Sequence, residues 1–506
     1  MAAKQPNILL AVSDDQSWPH TGAYGHTTIR TPAFDRVARE GVLFSHCFCP
    51  ASQCSPSRAA LLTGRNIWQL EEAGTHESLF PNKFQVYPDL LEATGYHVGY
   101  TGKPWAPGNW KAGGRQRNPA GPAYNTRRLA PPTTGISDCD YAANFRDFLQ
   151  ARRKGQPFCF WFGCHEPHRA YETDSGVRAG KRVQDCVVPE FLPDVAVVRR
   201  DLLDYELEIE WFDQQLGEMI DLLEQRGELD NTLIAVTSDN GMPFPRAKAN
   251  LYEYSTRVPL AIRWPARIPR PEREVSDLVS LIDLAPTFLD AAGLNPHPAM
   301  SGRSLLNVLR ARKTGQVDPK RNRVLLGKER HNHARFDDVG YPSRALRTTD
   351  WLYIRNFRPE RWPLGDPPLF LCHTKMANPT KEFILAHQDQ EQVNRFFNIT
   401  YAKRPNEELY DIRDDVACLR NLADSDATAK LRKQLADQLL GALAAQHDPR
   451  AIGYGDIWDS YPHYAPIEPT LGGFSETGKY NPQFWYKARA AAPHAGLPPE
   501  PPDLLD

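Results

Sequence analysis

Cys54-Ser55-Pro56-Ser57-Arg58 combines the residue types of this chain best suited to chemistry. A thiol is followed by small residues, a proline and an arginine, and then by the apolar run Ala59-Ala60-Leu61-Leu62. Pro56 has no N–H to donate, and its fixed φ suits the first turn of a helix. The pattern predicts a helix that begins here and stops at Gly64. Cys54 would then lie at the positive end of a helix, where anions are favoured, with Arg58 one turn on. This is a layout for a nucleophile that handles an anion. A cysteine simply buried at a helix start has the same local pattern.

Other candidates follow apolar runs that read as strands. Asn7–Val12 ends in Ser13-Asp14-Asp15, Tyr96–Thr101 in Gly102-Lys103, Pro157–Gly163 in Cys164-His165-Glu166-Pro167-His168-Arg169, and Thr232–Thr237 in Ser238-Asp239-Asn240-Gly241. Short, continuously apolar runs are expected of strands buried on both faces of a parallel sheet. Ligands bind at the carboxyl edge of such sheets. Asp14, Asp15, Asp239 and the amide oxygen of Asn240 form a hard oxygen set that suits Ca2+ or Mg2+ rather than zinc. Singly, an Asp pair also caps helices and Asp-Asn-Gly also makes turns. Their recurrence at strand ends, beside Cys54, favours a shared site.

The elements needed to position these groups can be read along the chain. Helices are expected over Thr31–Glu40, Tyr87–Thr94, Tyr141–Arg153 and Val198–Leu223, the last with its apolar residues on one face. Val42–Phe44 reads as a further strand, and residues 102–132, rich in Gly, Pro, Asn and Arg, as a long surface loop. Alternating strands and helices imply an α/β fold, a large mainly parallel sheet flanked by helices. After Leu309 the pattern changes to antiparallel strands over Arg323–Gly327 and Ser343–Phe357 and a helix over Thr428–Ala445. The expected division is a catalytic domain over 1–315, a smaller C-terminal α+β domain over 320–450, and a Pro/Tyr/Trp-rich tail over 451–506 packed on the surface.

Composition narrows the function. The 506 residues are 41% apolar and carry a formal charge of −2, which gives no general attraction to nucleic acid or an acidic membrane. No apolar run reaches the length of a membrane span. The nine cysteines are odd in number and lack paired zinc spacing, so most are expected reduced and buried. With the first strand expected to begin at Asn7, no leader peptide is expected within this chain, and a trimmed start would look the same. The expected location is periplasmic or extracellular if a leader was trimmed, and cytoplasmic otherwise.

Taken together, the Cys-x-Pro-Ser-Arg stretch and the strand-end carboxylates resemble the formylglycine-dependent (type I) sulfatases of the alkaline phosphatase superfamily. Glu408-Leu409-Tyr410-Asp411 through Asn421-Leu422-Ala423 is similar to that family's C-terminal domain. Ser238-Asp239-Asn240-Gly241-Met242-Pro243-Phe244-Pro245 and His165-Glu166-Pro167-His168-Arg169 look most like its N-sulfatase (sulfamidase) branch. The resemblance implies that Cys54 is oxidised to formylglycine by a maturation enzyme, and that Asp14, Asp15, Asp239, Asn240 and modified Cys54 hold Ca2+. One oxygen of the hydrated aldehyde would attack sulfur. Arg58, Lys103 and Lys248 would neutralise the sulfate oxygens, and His168 would protonate the leaving oxygen or nitrogen. The substrate would be a sulfated saccharide, with sulfate ester and sulfamate both open.

Some positions carry two readings. Lys248 is either a surface lysine or the family's cation nine residues after Asp239. Of the His165–Arg169 motif, Glu166 is expected to contact substrate, and His165 either contacts substrate or holds a structural hydrogen bond. Many sulfatases carry Gly-Lys-x-His where this chain has Gly102-Lys103-Pro104-Trp105. Trp105 cannot accept a proton, and is either a wall for a sugar ring or packing. His331, His333 and Arg335 either read an anionic group on a saccharide or line a solvated loop. The alternatives to an N-sulfatase are an O-sulfatase for an algal or other polysaccharide, a phosphodiesterase or phosphonate hydrolase of the same superfamily, and a silent sulfated-glycan binder.

Overall fold

The structure, a computed structural model, describes residues 5–465. Its centre is a seven-stranded sheet made of β1 (Asn7–Ser13), β2 (Val42–Phe44), β3 (His97–Gly102), β4 (Phe158–Gly163), β5 (Thr232–Ser238), β6 (Leu260–Arg263) and β7 (Arg273–Val275), in the order β3-β4-β1-β5-β6-β2-β7. The four strands expected to carry the site are neighbours and all parallel. β6 alone runs against the others in this sheet. All residues of β1, β4 and β5 are buried, which accounts for their unbroken apolar character.

Helices cover both faces. One face of the sheet packs on α1 (Pro32–Arg39), α3 (Tyr141–Ala151) and α4 (Ala196–Gln225); the other packs on α2 (Cys54–Thr63) and the helix Leu284–Ala291. α2 is buried along its whole length, so it shows no amphipathic pattern. It ends where Gly64 takes a left-handed conformation, φ 66°, that releases the chain from the helix.

The smaller sheet is antiparallel, in the order β8 (Arg323–Lys328), β9 (Ser343–Thr348), β10 (Trp351–Asn356) and β11 (Glu407–Asp411). The expected strand over Ser343–Phe357 is thus two strands joined by a turn. Helix α5 (Ala429–Ala445) packs on this sheet through Leu435, Leu439 and Leu443. These leucines belong to the same apolar cluster as α2, so a continuous core joins the two sheets. A buried bidentate pair adds to the join: Arg347 on β9 donates to Glu253 from Nε at 2.6 Å and Nη2 at 3.3 Å.

Beyond Gly102, which ends β3, residues 103–132 contain no helix or regular strand, although the loop is not all at the surface, since Trp105 and Ala120 are buried. All nine cysteines are buried and free. Among the described residues no helix is long and apolar enough to cross a membrane. Most of the 451–506 tail, from 466 on, lies outside the described residues.

Candidate active site

Strand register brings the candidates together. Val12 pairs with Gly163, Ser13 with Ser238, and Gly102 with Gly163, so four strands end at one level. Asp14 and Asp15, Lys103, the His165–His168 segment and Asp239 and Asn240 therefore leave the sheet at a common edge. Fit at this edge is close. A Cβ on Gly102 would meet the Gly163 carbonyl at 1.9 Å, and one on Gly163 would meet the Lys103 carbonyl at 1.8 Å. That Lys103 carbonyl accepts from Arg58 Nη1 at 2.7 Å and Trp161 Nε1 at 3.1 Å.

Cys54, the first residue of α2, enters this cluster from the side, with Sγ 3.5 Å from Asp14 Oδ1 and 3.9 Å from Asp15 Oδ1. Ligand atoms of Asp14, Asp15, Cys54 and Asp239 all lie within 4.8 Å of one another, and all four residues are buried. Three cations meet the three carboxylates. Lys103 Nζ bonds Asp14, Lys248 Nζ lies 2.6 Å from Asp15 Oδ2, and Arg58 Nε lies 2.7 Å from Asp239 Oδ2. Lys248 is 3% exposed, which removes the surface reading.

The pKa directions follow from this packing. Burial pushes Asp14 up, but Lys103, His168, Arg58 and Lys248 more than offset it and hold the carboxyl well below its usual range. Asp15 and Asp239 are raised, since burial outweighs Lys248 and Arg58 respectively. Burial also raises the Cys54 thiol well above its usual value. As a thiol, Cys54 is therefore a poor nucleophile at neutral pH.

Two buried polar atoms at the cluster have no hydrogen-bond partner among the described residues: the acceptor Asn240 Oδ1 and the donor Arg58 Nη2. An acceptor and a donor left over suit a cation and an anion in turn. Three carboxylates and an amide oxygen are the donor set of a hard divalent ion such as Ca2+. With charges in the protein balanced three against three, a dication and a dianion can enter together without leaving net charge buried. The residues present fit the group.

A cavity of 740 Å³ opens from Cys54, Asp14, Lys103 and Lys248. His168 lines it with its Nδ1 donating to the Arg169 carbonyl at 2.7 Å, which leaves Nε2 facing the site, 3.8 Å from Asp15 Oδ2. Burial and the charge of Lys248 push its pKa down to about 3. His165 is exposed in the cavity wall. His331 also reaches the cavity, donating from Nδ1 to the Cys372 carbonyl with its ring 4.1 Å from that of His76.

Four expected substrate contacts are corrected. Trp105 is 1% exposed; it packs edge-on against Phe80, and its Nε1 donates to the Ser55 carbonyl at 3.1 Å. It braces the start of α2 and presents no face to a sugar. Glu166 is buried, accepting from the Ser137 amide, the Tyr141 hydroxyl and the Cys164 thiol. His333 is fully buried outside the cavity lining. Arg335 is buried too, donating to the carbonyls of Trp362 and Pro363.

In their place the cavity is lined by His76, Glu77, Asn332, His373 and Lys375. His76 and Glu77 follow α2 in a run of short turns, where the Glu77 amide donates to Ser55 Oγ at 3.1 Å. Such segments have no periodicity to mark them. The one available signal was a Thr-His-Glu triplet soon after the thiol helix.

Comparison with known proteins agrees with this geometry. The family model described as Sulfatase matches residues 6–294, and the one described as N-sulphoglucosamine sulphohydrolase, C-terminal, matches residues 246–366. Human N-sulphoglucosamine sulphohydrolase is 29% identical over 485 residues, spanning 88% of this chain and 91% of that protein. An ulvan-active sulfatase from Formosa agariphila is 27% identical, spanning 87% of this chain and 75% of that one. Among solved structures, a complex of an enzyme with its substrate D-glucosamine-2-N,6-O-disulfate superposes with a TM-score of 0.64 at 20% identity, covering 88% of this chain and 99% of the other. The phosphonate monoester hydrolase of Agrobacterium radiobacter shares the fold at a TM-score of 0.60 and 18% identity, covering 89% and 97%.

Proposed function

The chain belongs to the sulfatase family, and from that premise we propose that it hydrolyses the sulfamate of an N-sulfated saccharide, using a formylglycine made from Cys54 and a bound Ca2+. The observation that carries this reading is the pairing of Lys103, Lys248 and Arg58 with Asp14, Asp15 and Asp239 around Cys54. It is a site whose cations can turn from carboxylates to a sulfo group once a dication takes the carboxylates.

Asp14, Asp15, Asp239 and Asn240 would hold the calcium ion, which when bound supplies Lewis acidity that lowers the pKa of an oxygen nucleophile. Formylglycine at position 54 supplies that oxygen as an aldehyde hydrate, in place of the raised-pKa thiol. Lys103 and Lys248 would orient the sulfo group and take up charge on its oxygens as the bond to the leaving atom lengthens. His168 is fixed by the Arg169 carbonyl, so its Nε2 faces the site; it would pass a proton to the leaving nitrogen or oxygen once the negative charge of the bound sulfo group favours its imidazolium form. His76, Glu77 and His331 elsewhere in the cavity lining would contact the saccharide, whose ring carries hydroxyls that such groups bond.

The sulfamate linkage is favoured by the match of residues 246–366 to the N-sulphoglucosamine sulphohydrolase C-terminal model. A sulfate ester is the second reading, favoured by the similar identity and coverage of the ulvan-active sulfatase. Assay of sulfate release from N-, 6-O- and 2-O-sulfated glucosamine and from algal oligosaccharides tests both. Release from the N-sulfated sugar is expected, and release from O-sulfates alone would replace the first reading with the second. Mass spectrometry of the Cys54 peptide should show conversion of thiol to aldehyde. An active preparation with an intact thiol would refute the nucleophile.

A further inference from the structure

Basic side chains also gather away from the active site, where the loop after Lys248 meets the smaller sheet. A small cavity of about 10 Å³ lies there, lined by Asn250, Tyr252, Lys328, Tyr341, Arg404 and Glu408 among others. That is room for one water-sized particle. Lys328 is 1% exposed, and its Nζ donates to the Pro363 carbonyl at 3.0 Å. Arg404 also lines the cavity, and Arg335 and Arg246, both buried, lie against the Tyr341 and Tyr252 rings; all three likewise donate to backbone carbonyls. None of these four cations forms an ion pair among the described residues.

One carboxylate, Glu408, lines the cavity and offsets one of these charges at a distance, its oxygens accepting from the Tyr252 hydroxyl at 2.9 Å, the Tyr410 hydroxyl at 2.6 Å and Asn356 Nδ2 at 2.8 Å. Tyrosine faces give partial relief, with Arg246 4.1 Å from the Tyr252 ring centre and Lys328 5.0 Å from that of Tyr341. They do not cancel the charges of the three arginines, although burial pushes the Lys328 pKa down to about 7, so that lysine gives up part of its own charge. Guanidinium groups cannot shed a proton to escape the cost of burial. Three polar groups here are also buried without a partner among the described residues: Tyr341 hydroxyl, Arg404 Nε and Arg246 Nε, all donors. Excess positive charge, unused donors and a monatomic space all call for the same particle. Sulfate and phosphate exceed the space, and a water would leave the charge uncompensated.

We propose that the cavity between Lys328, Tyr341 and Arg404 binds a single halide, chloride in a chloride-containing medium, as a structural counter-ion between the Lys248 loop and the smaller sheet. Asn250 shares the cavity wall and donates from Nδ2 to the Lys248 carbonyl at 3.4 Å, so the ion would help hold that loop. The site is independent of the reaction assigned to Cys54.

The test is thermal unfolding of the full chain, freed of halide, with sodium chloride, bromide or gluconate added at equal ionic strength. Chloride and bromide should raise Tm by about 2 °C, and gluconate should not. Crystals grown in bromide should show an anomalous peak between Lys328 and Tyr341. Lys328→Met should abolish the halide increment, and if that variant does not fold, Tyr341→Phe should reduce it. An equal rise in gluconate, or bromide peaks only elsewhere, would overturn the proposal.

Discussion

Two clusters of buried basic groups in this molecule, one beside Cys54 and one around Lys328, are satisfied in opposite ways. Beside Cys54 each of three cations faces its own carboxylate. Around Lys328 the cations face carbonyls and rings, and Glu408 accepts from neutral donors. The paired cluster can exchange partners, because a dication and a dianion entering together leave every charge matched. The unpaired cluster has nothing to exchange. Beside Cys54 the pairing lies on an open cavity and suits ligands that come and go, whereas around Lys328 its lack suits a single ion that stays.

The sharpest way to break this contrast is at the exchanging site. Cys54→Ala should lower sulfate release by about 10⁴-fold or more, measured by ion chromatography of freed sulfate, and residual activity near the wild-type level would remove Cys54 from the chemistry. Chelation with EGTA should abolish turnover and added Ca2+ restore it, with no effect on any halide dependence of Tm. Lys248→Ala should cost about 10²–10³-fold in kcat, while Lys248→Arg keeps the charge with altered geometry and should lose less.

Smaller effects sharpen the comparison from the structural side. Burial pushes Glu253 up, but Arg347 and Arg257 hold its carboxyl below the usual range. A depressed folded pKa adds stability above the unfolded value of about 4.3, and that stability is lost as pH falls through the folded value. Glu253→Gln should thus lower unfolding free energy by about 3 kcal/mol near neutrality, with the difference from wild type shrinking in acid, as read by denaturant unfolding across pH. Trp105→Phe should cost about 1 kcal/mol through the lost bond to Ser55 and leave KM unchanged. A several-fold rise in KM without destabilisation would return Trp105 to the substrate wall.

Much of this arrangement was legible in the sequence because it rests on regular structure. Asp14, Lys103, His168 and Asp239 follow runs whose continuous apolar character shows strands buried on both faces, and parallel strands bring such ends together. The Cys54 helix showed itself by Pro56 and Gly64. What escaped depends on irregular backbone. His76 and Glu77 lie in short turns, and Glu77 takes a positive φ of 53° that its sequence does not signal. Arg335 sits three residues from a cavity-lining asparagine, yet its guanidinium turns inward to carbonyls, since a loop gives no rule for which side faces in. Trp105 was ambiguous because a large ring serves equally as wall or as brace until its indole N–H finds a partner.

The two glycines at the strand ends carry a consequence for inheritance. Gly102 and Gly163 have no chemistry, yet each leaves too little space for even a methyl group against the carbonyl of the neighbouring segment. A side chain at either would shift the backbone that presents Lys103 and the carbonyl on which Arg58 and Trp161 converge. Loss-of-function variation in such a gene would therefore fall on silent-looking positions as readily as on the charged ones, and a screen restricted to polar residues would overlook it.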